Sequence, residues 1–287
     1  MSITSLLFGK IKNKEEAIFI ENRAPIRSVP LHLHSQVKQS ISGNHIFLEA
    51  GAGKAVIFCH GLFGGIFNID KVCEEIAKEY RFLMPYLPMY DMSLKDCTVR
   101  KLGYYLETFI SDLQLEEVVV IGSSMGGGAA LYYAAGTPFK IKGLVLCGSS
   151  GLSNIPLTKG YFKRKEYDFV EEATRDIFFN RSIPPDEMVR DVFNAIQSTE
   201  VVLRSIRFTK SAINQKMYNE LPGIHTPTLL VWGKQDPITP VEVAPQFQTL
   251  LPDAKLYIIN ECGHVPTQEK PYQFLEHFFD FIKKINY

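Results

Sequence analysis

One ten-residue run constrains this chain more than any other: Val118-Val-Val-Ile-Gly-Ser-Ser-Met-Gly-Gly127. Four β-branched residues lead directly into Gly122-Ser123-Ser124-Met125-Gly126, and the small residues Gly126-Gly-Gly-Ala-Ala130 follow. The first part reads as a buried strand and the last as the opening of a helix packed closely on its neighbours. A chain that passes from strand to helix in so few residues must turn sharply at Ser124. That forces its backbone into strain and pushes its hydroxyl outward. Side chains at the flanking positions would strike neighbouring backbone, so Gly122 and Gly126 are needed there. The helix N-terminus then points its free N–H groups at Ser124 and favours negative charge beside it.

The same alternation runs along the chain. Ala55-Val-Ile-Phe-Cys59, Phe82 to Leu87, Val118 to Ile121, Gly143 to Cys147, Thr228 to Trp232 and Lys255 to Ile259 are short apolar runs. Between them lie stretches of helical spacing, among them Asp70 to Tyr80 with Asp70 as its N-cap, Leu102 to Leu113, Val241 to Leu251 and Tyr272 to Ile285. Strands apolar on both faces and separated by helices predict an α/β fold with a mostly parallel sheet covered on both sides. The alternation lapses after Ser150, where a segment richer in charge and aromatics has only helical spacing (Phe169 to Phe179, Met188 to Ile196, Val201 to Ile213). The expected organisation is therefore a core of residues 1–150 and 218–287, interrupted by a helical insertion of residues 151–217.

Composition removes several function classes. Lysines and arginines balance aspartates and glutamates at 31 each, so the formal net charge is zero. Nucleic acid and anionic membrane surfaces, which need an excess of Lys and Arg, are not expected partners. The five cysteines include no C-x-x-C pair, which argues against a disulfide framework and a zinc site and for a reducing, cytoplasmic setting. The short apolar stretch in residues 1–10 has no preceding basic region and is too short to span a bilayer. Oligomeric state is left open.

A serine hydroxyl needs a base, and the base needs a partner that fixes its tautomer. Asp236, in Trp232-Gly-Lys-Gln-Asp-Pro-Ile238, and His264, in Glu261-Cys-Gly-His-Val265, each follow a strand at the sheet edge that carries Ser124. Their chain order is Ser, Asp, His. Negative charge developing on a substrate oxygen needs N–H donors. Met125, next after the serine, supplies one; the loop Cys59-His-Gly-Leu-Phe-Gly-Gly65 supplies the other, from Leu62 or alternatively Phe63. His60 and Gly61 are expected to shape that loop, with His60 taking no part as a base.

With His60-Gly61, Gly122-Ser-Ser-Met-Gly126, Gly233-Lys-Gln-Asp236 and Gly263-His264 in view, the chain resembles the α/β-hydrolase fold superfamily over roughly residues 45 to 285. Within it, the closest resemblance is to capped esterases and related small-molecule serine hydrolases. This implies a helical cap after the sixth strand, a Ser124–His264–Asp236 triad and no cofactor or metal. The expected substrate is a small carboxylic ester with an apolar acyl group, met by cap aromatics (Tyr161, Phe162, Tyr167, Phe169, Phe178, Phe179) that could equally pack the cap's own core. The alternatives are C–C bond hydrolysis of a ring-fission product by the same triad, and a ligand-binding protein on a hydrolase fold. One departure stands out: after the fourth strand, where many members carry a Gly-rich turn, this chain has Leu87-Pro-Met-Tyr-Asp-Met92.

Other motifs fail. Gly51-Ala-Gly-Lys54 lacks the first glycine and the Ser/Thr of a phosphate loop and precedes a strand. No Gly-x-Gly-x-x-Gly follows a strand, and His32-x-His34 has no third ligand at metal-binding spacing.

Overall fold

The structure, a computed structural model, describes residues 37–63, 69–137, 141–152 and 163–287. The apolar start of the chain, His32, His34, Gly64, Gly65, Tyr161 and Phe162 lie outside the described residues.

Eight strands form one sheet: β1 (Lys38–Ser42), β2 (His45–Ala50), β3 (Ala55–Cys59), β4 (Arg81–Pro85), β5 (Val118–Ser123), β6 (Ile141–Cys147), β7 (Thr228–Gly233) and β8 (Ala254–Ile259). Their spatial order is β1-β2-β4-β3-β5-β6-β7-β8. From β4 through β8 all pairings are parallel, whereas β2 runs antiparallel to both β1 and β4. The central strands are buried on both faces, as their unbroken apolar runs require.

Helices α1 (Asp70–Ile76), α2 (Val99–Asp112), α3 (Met125–Gly136), α4 (Tyr167–Arg175), α5 (Asp186–Gln197), α6 (Thr199–Ile213), α7 (Ala244–Leu250), α8 (Pro266–Glu269) and α9 (Pro271–Lys284) complete the described residues. One core layer packs α2, α3 and α7 on the sheet, and the other packs α1 and α9 on the opposite face. In α2 the spacing of Leu102, Leu106 and Phe109 puts all three on the buried stripe, each contributing roughly 1.5–3 kcal/mol of burial. The Thr98 hydroxyl caps this helix by accepting from the Lys101 N–H at 3.2 Å.

One expectation needs correction, and one element was not foreseen. Asp70 does not cap α1: it is the first helical residue and Ile69 holds the cap position, so the carboxylate acts on the helix dipole from inside the first turn. The β1–β2 hairpin is absent from the sequence reading. β1 is a largely exposed edge strand with little apolar content, and the two-residue turn Gly43-Asn44 closes it with Gly43 at φ 55°.

A carboxylate holds this hairpin to the sheet. Glu49 accepts from the Ser40 hydroxyl at 2.6 Å, pairs with Arg81 at 2.8 Å and lies 3.1 Å from Lys38 Nζ. Burial alone would raise its pKa, but these donors outweigh burial and hold it at about 2. Its folded pKa is thus depressed, so its contribution is complete above the unfolded value near 4.5 and is lost as pH falls from there towards 2. Glu49→Gln is expected to cost about 1 kcal/mol in urea unfolding at pH 7 and nothing near pH 2; an equal cost at both pH values would exclude this linkage.

The segment between β6 and β7 is helical where described. Its two ends meet, for the Met217 N–H donates to the Gly151 carbonyl at 2.9 Å. Its own small apolar cluster is built on Val170, Ile196 and Val202.

Candidate active site

Because β3, β5, β6, β7 and β8 are parallel neighbours, their carboxyl ends share one edge, and each releases a loop there. Ser124 sits between β5 and α3 with φ 54° and ψ −119°, a region that L-residues avoid. The turn is held from below by the Ser124 N–H, which donates to the Cys147 carbonyl at 2.9 Å, and by the Ser150 N–H, which donates to the Ser124 carbonyl at 3.1 Å. The two flanking glycines are sterically obligatory. A Cβ on Gly126 would lie 2.1 Å from the Cys59 carbonyl oxygen, and one on Gly122 would lie 2.5 Å from the Gly127 Cα. Gly61 faces the serine directly, its Cβ position lying 3.0 Å from Ser124 Cβ.

Asp236 and His264 are both buried and meet across the β7 and β8 loops. Nδ1 of the imidazole lies 3.0 Å and 2.9 Å from the two carboxylate oxygens. A carboxylate can only accept, so Nδ1 carries a proton, and Nε2 on the opposite edge of the ring is the nitrogen that can serve as base. Asp236 is itself held rigidly. The N–H groups of Ile238 and Thr239 donate to Oδ1 at 2.8 and 2.9 Å, and the Thr239 hydroxyl lies 2.8 Å from Oδ2 and 2.9 Å from the Gly148 carbonyl. Gln235 staples the two loops, its N–H donating to the Cys262 carbonyl at 3.0 Å while its side-chain carbonyl accepts from the Cys262 N–H at 3.2 Å.

Gly148, which follows β6, closes the constellation. At φ 50° its Cβ position lies 3.0 Å from both Asp236 Oδ2 and His264 Nδ1. Ser124 is hydrogen-bonded to the residue before Gly148, so the serine turn and the imidazole–carboxylate pair pack on the same β6 terminus. Among the described residues no hydrogen bond joins the Ser124 hydroxyl to His264; in unliganded sites that contact commonly tightens only when substrate arrives.

His60 is engaged at both ring nitrogens. Its Nδ1 lies 2.9 Å from the Gly61 carbonyl, and its Nε2 accepts from the Leu87 N–H at 3.2 Å. Both ring nitrogens are used and the ring is neutral; burial pushes its pKa below the usual histidine range against the opposing pull of the Gly61 carbonyl. The side chain thereby ties the loop after β3 to the segment after β4.

Of the two candidate N–H donors in the β3 loop, the structure separates one. The Phe63 N–H is directed to the Tyr90 hydroxyl at 3.2 Å, and the two rings stack with centroids 5.7 Å apart. Phe63 is therefore committed elsewhere, whereas the Leu62 and Met125 N–H groups have no backbone acceptor among the described residues. Tyr90 belongs to the stretch that departs from the family's Gly-rich turn, and its role here is to hold this loop. The described aromatics of the insertion differ in their surroundings. Phe178 is buried, Phe179 is 48% exposed and Tyr167 meets Phe193 edge-on within the insertion.

No thiol competes as a nucleophile. All five cysteines are free and buried, and burial pushes Cys59 and Cys73 up to about 12.

The sequence reading missed Gly148, Thr239 and Gln235. Thr239 had a local signal, since Asp236-Pro-Ile-Thr239 is a turn in which an aspartate accepts from N–H groups two and three residues on. Gly148 had none, because its constraint comes from residues about 90 and 115 positions away.

Comparison with known proteins agrees with this geometry. A curated relative, the uncharacterized hydrolase YugF of Bacillus subtilis (strain 168), is 26% identical over 85% of this chain and 96% of its own. The 2-hydroxy-6-oxononadienedioate/2-hydroxy-6-oxononatrienedioate hydrolase of Comamonas testosteroni is 26% identical over 82% of this chain and 89% of its own. Among solved structures, the alpha/beta hydrolase enzyme MGS-MChE2, from the metagenome of sediments from the lagoon of Mar Chica, Morocco, is 33% identical. It covers 87% of this chain and 100% of its own with a TM-score of 0.71. The model of the alpha/beta hydrolase family matches residues 56–277, from the second residue of β3 into α9. With the strand order and the serine turn described above, this shows that the chain belongs to the alpha/beta hydrolase family and is a hydrolase.

Proposed function

We propose that Ser124, His264 and Asp236 act as a catalytic triad that hydrolyses small carboxylic esters through an acyl-enzyme. The observation that carries this reading is the pairing of His264 Nδ1 with both oxygens of Asp236, on the β6 terminus that also holds the strained Ser124 turn. Ser124 Oγ bonds to the substrate carbonyl carbon while its proton passes to Nε2 of His264. Asp236 stabilises the imidazolium, which then protonates the departing alkoxide. Water, deprotonated by the same nitrogen, releases the acid and restores Ser124. Leu62 and Met125 N–H groups hold the oxyanion, each such donor supplying roughly 3 kcal/mol in the transition state. In this reading the described part of the insertion, residues 163–217, acts as a cap, and its apolar cluster around Val170, Ile196 and Val202 would suit an apolar acyl group.

A second reading has its own support: several curated relatives are named as hydrolases of 2-hydroxy-6-oxo dienoates, among them that of Comamonas testosteroni and the 2-hydroxy-6-oxo-6-phenylhexa-2,4-dienoate hydrolase of Burkholderia cepacia. There the same triad would break a C–C bond beside a ketone and the leaving carbon would take the proton. No helix among the described residues is long and apolar enough to cross a membrane. The five free thiols suit the reducing cytoplasm, where we place the protein.

The test is a panel of p-nitrophenyl esters of graded acyl length beside one vinylogous 1,5-diketone. Ester turnover with kcat/KM at least tenfold above that for the diketone is expected; the reverse order would establish the C–C reading. Tight binding of panel members without turnover of any would replace both with a binding protein.

A further inference from the structure

One buried carboxylate outside the proposed triad has only N–H donors around it. Glu269, in α8, accepts from the Gly263 N–H through Oε1 at 2.8 Å; through Oε2 it accepts from the N–H groups of Phe179, at 2.8 Å, and Asn180, at 3.4 Å. Gly263 immediately precedes His264. Phe179 and Asn180 belong to the insertion between α4 and α5, about 90 residues away in the chain. The contact is reinforced beside the carboxylate, where the His264 N–H itself donates to the Ile177 carbonyl at 2.9 Å.

Independent evidence for a tight seat comes from Gly263. A Cβ there would lie 2.6 Å from the Ile177 carbonyl oxygen, 2.8 Å from the Phe179 nitrogen and 2.9 Å from Glu269 Oε1. The insertion thus lies directly on the backbone of the histidine loop, with no room for a side chain between them. The backbone leading into the His264 Cα is held at two successive amides: its own N–H by Ile177, and the preceding N–H by Glu269.

We propose that Glu269 is a positioning residue that locks the 177–180 segment of the cap onto the histidine loop, so that the seating of the cap sets the direction of the imidazole. This rests on the reading of Ser124, His264 and Asp236 given above. Glu269 touches no reacting atom. It acts through the backbone of residues 263 and 264, and a carboxylate is required because its backbone partners, Gly263, Phe179, Asn180 and Val265, all donate. Glutamine offers only one accepting atom, and its amide nitrogen would have to face an N–H.

The experiment measures inactivation by a fluorophosphonate probe, separated into the saturating rate kinact and the half-saturation constant KI. The proteins are wild type, Glu269→Gln and Phe179→Pro. The second variant deletes one cap donor while leaving Glu269 and Gly263 intact, and the Phe179 side chain is already half-exposed. Expected in each variant that keeps the wild-type near-ultraviolet circular dichroism is a kinact reduced on the order of tenfold to hundredfold, with KI within twofold. Amide exchange at Gly263 and His264, read by NMR, should be as slow in the wild type as in β5 and β7 and faster in the variants. Unchanged kinact in a folded variant would overturn the proposal, as would fast exchange of those two amides in the wild type. Failure of the wild type to label at all would instead remove the Ser124 reading.

Discussion

Ser124→Ala is expected to lower kcat on p-nitrophenyl esters on the order of 10⁶-fold and to abolish fluorophosphonate labelling, with the chain still folded. The loss is this large because the hydroxyl is the only atom that enters the covalent step, while Asp236, His264 and the N–H donors can do no more than stabilise charge around it. The same position offers a second measurement. Alanine at 124 inherits φ 54° and ψ −119°, whereas glycine adopts that region freely. Ser124→Gly should therefore melt higher than Ser124→Ala, by the equivalent of about 1–3 kcal/mol. Equal melting temperatures would mean that the turn carries no strain, and retained labelling in either variant would move the nucleophile elsewhere.

Asp236→Asn should leave the fold intact and reduce kcat about 10⁴-fold near neutral pH. The carboxylate is surrounded by donors: Ile238 and Thr239 N–H on one oxygen, the Thr239 hydroxyl and His264 Nδ1 beside the other. Asparagine can satisfy the two backbone N–H groups with its single carbonyl oxygen, which sends its NH₂ towards the imidazole. Nδ1 must then accept, the proton moves to Nε2, and the nitrogen that should take the serine proton is already occupied. Steady-state kinetics beside a urea melt will check this. A loss below tenfold would show that Asp236 does not set the tautomer.

Much of this site could be read from residue order because a parallel sheet converts sequence into geometry. Once Val118–Ile121, Thr228–Trp232 and Lys255–Ile259 are taken as neighbouring strands, Ser124, Asp236 and His264 must emerge at one edge whatever the loops do. The insertion is expected for the complementary reason: helical spacing without strands between residues 151 and 217 has no place inside a parallel alternation. What escaped was whatever depends on side chains meeting across the fold. Glu269 reads as an ordinary polar residue in a short helix, and nothing nearby announces that its partners lie at 179 and 180. The β1–β2 hairpin escaped because Lys38-Gln-Ser-Ile-Ser42 draws its stability from the Glu49 ion pairs and the sheet edge, which leave no apolar pattern. The sequence favoured Leu62 over Phe63 as the second donor, but the Tyr90 hydroxyl that engages the Phe63 N–H lies 27 residues away and left no mark on the loop itself.

The dual attachment of Phe63 has a consequence for anyone recombining members of this family. Its N–H is held by Tyr90 from the core, while its side chain packs against the apolar cluster of the insertion. A chimera that receives a foreign 151–217 segment must therefore bring its own apolar seat for that ring. Without one, the donor loop will sag even though every residue of the acceptor scaffold is unchanged.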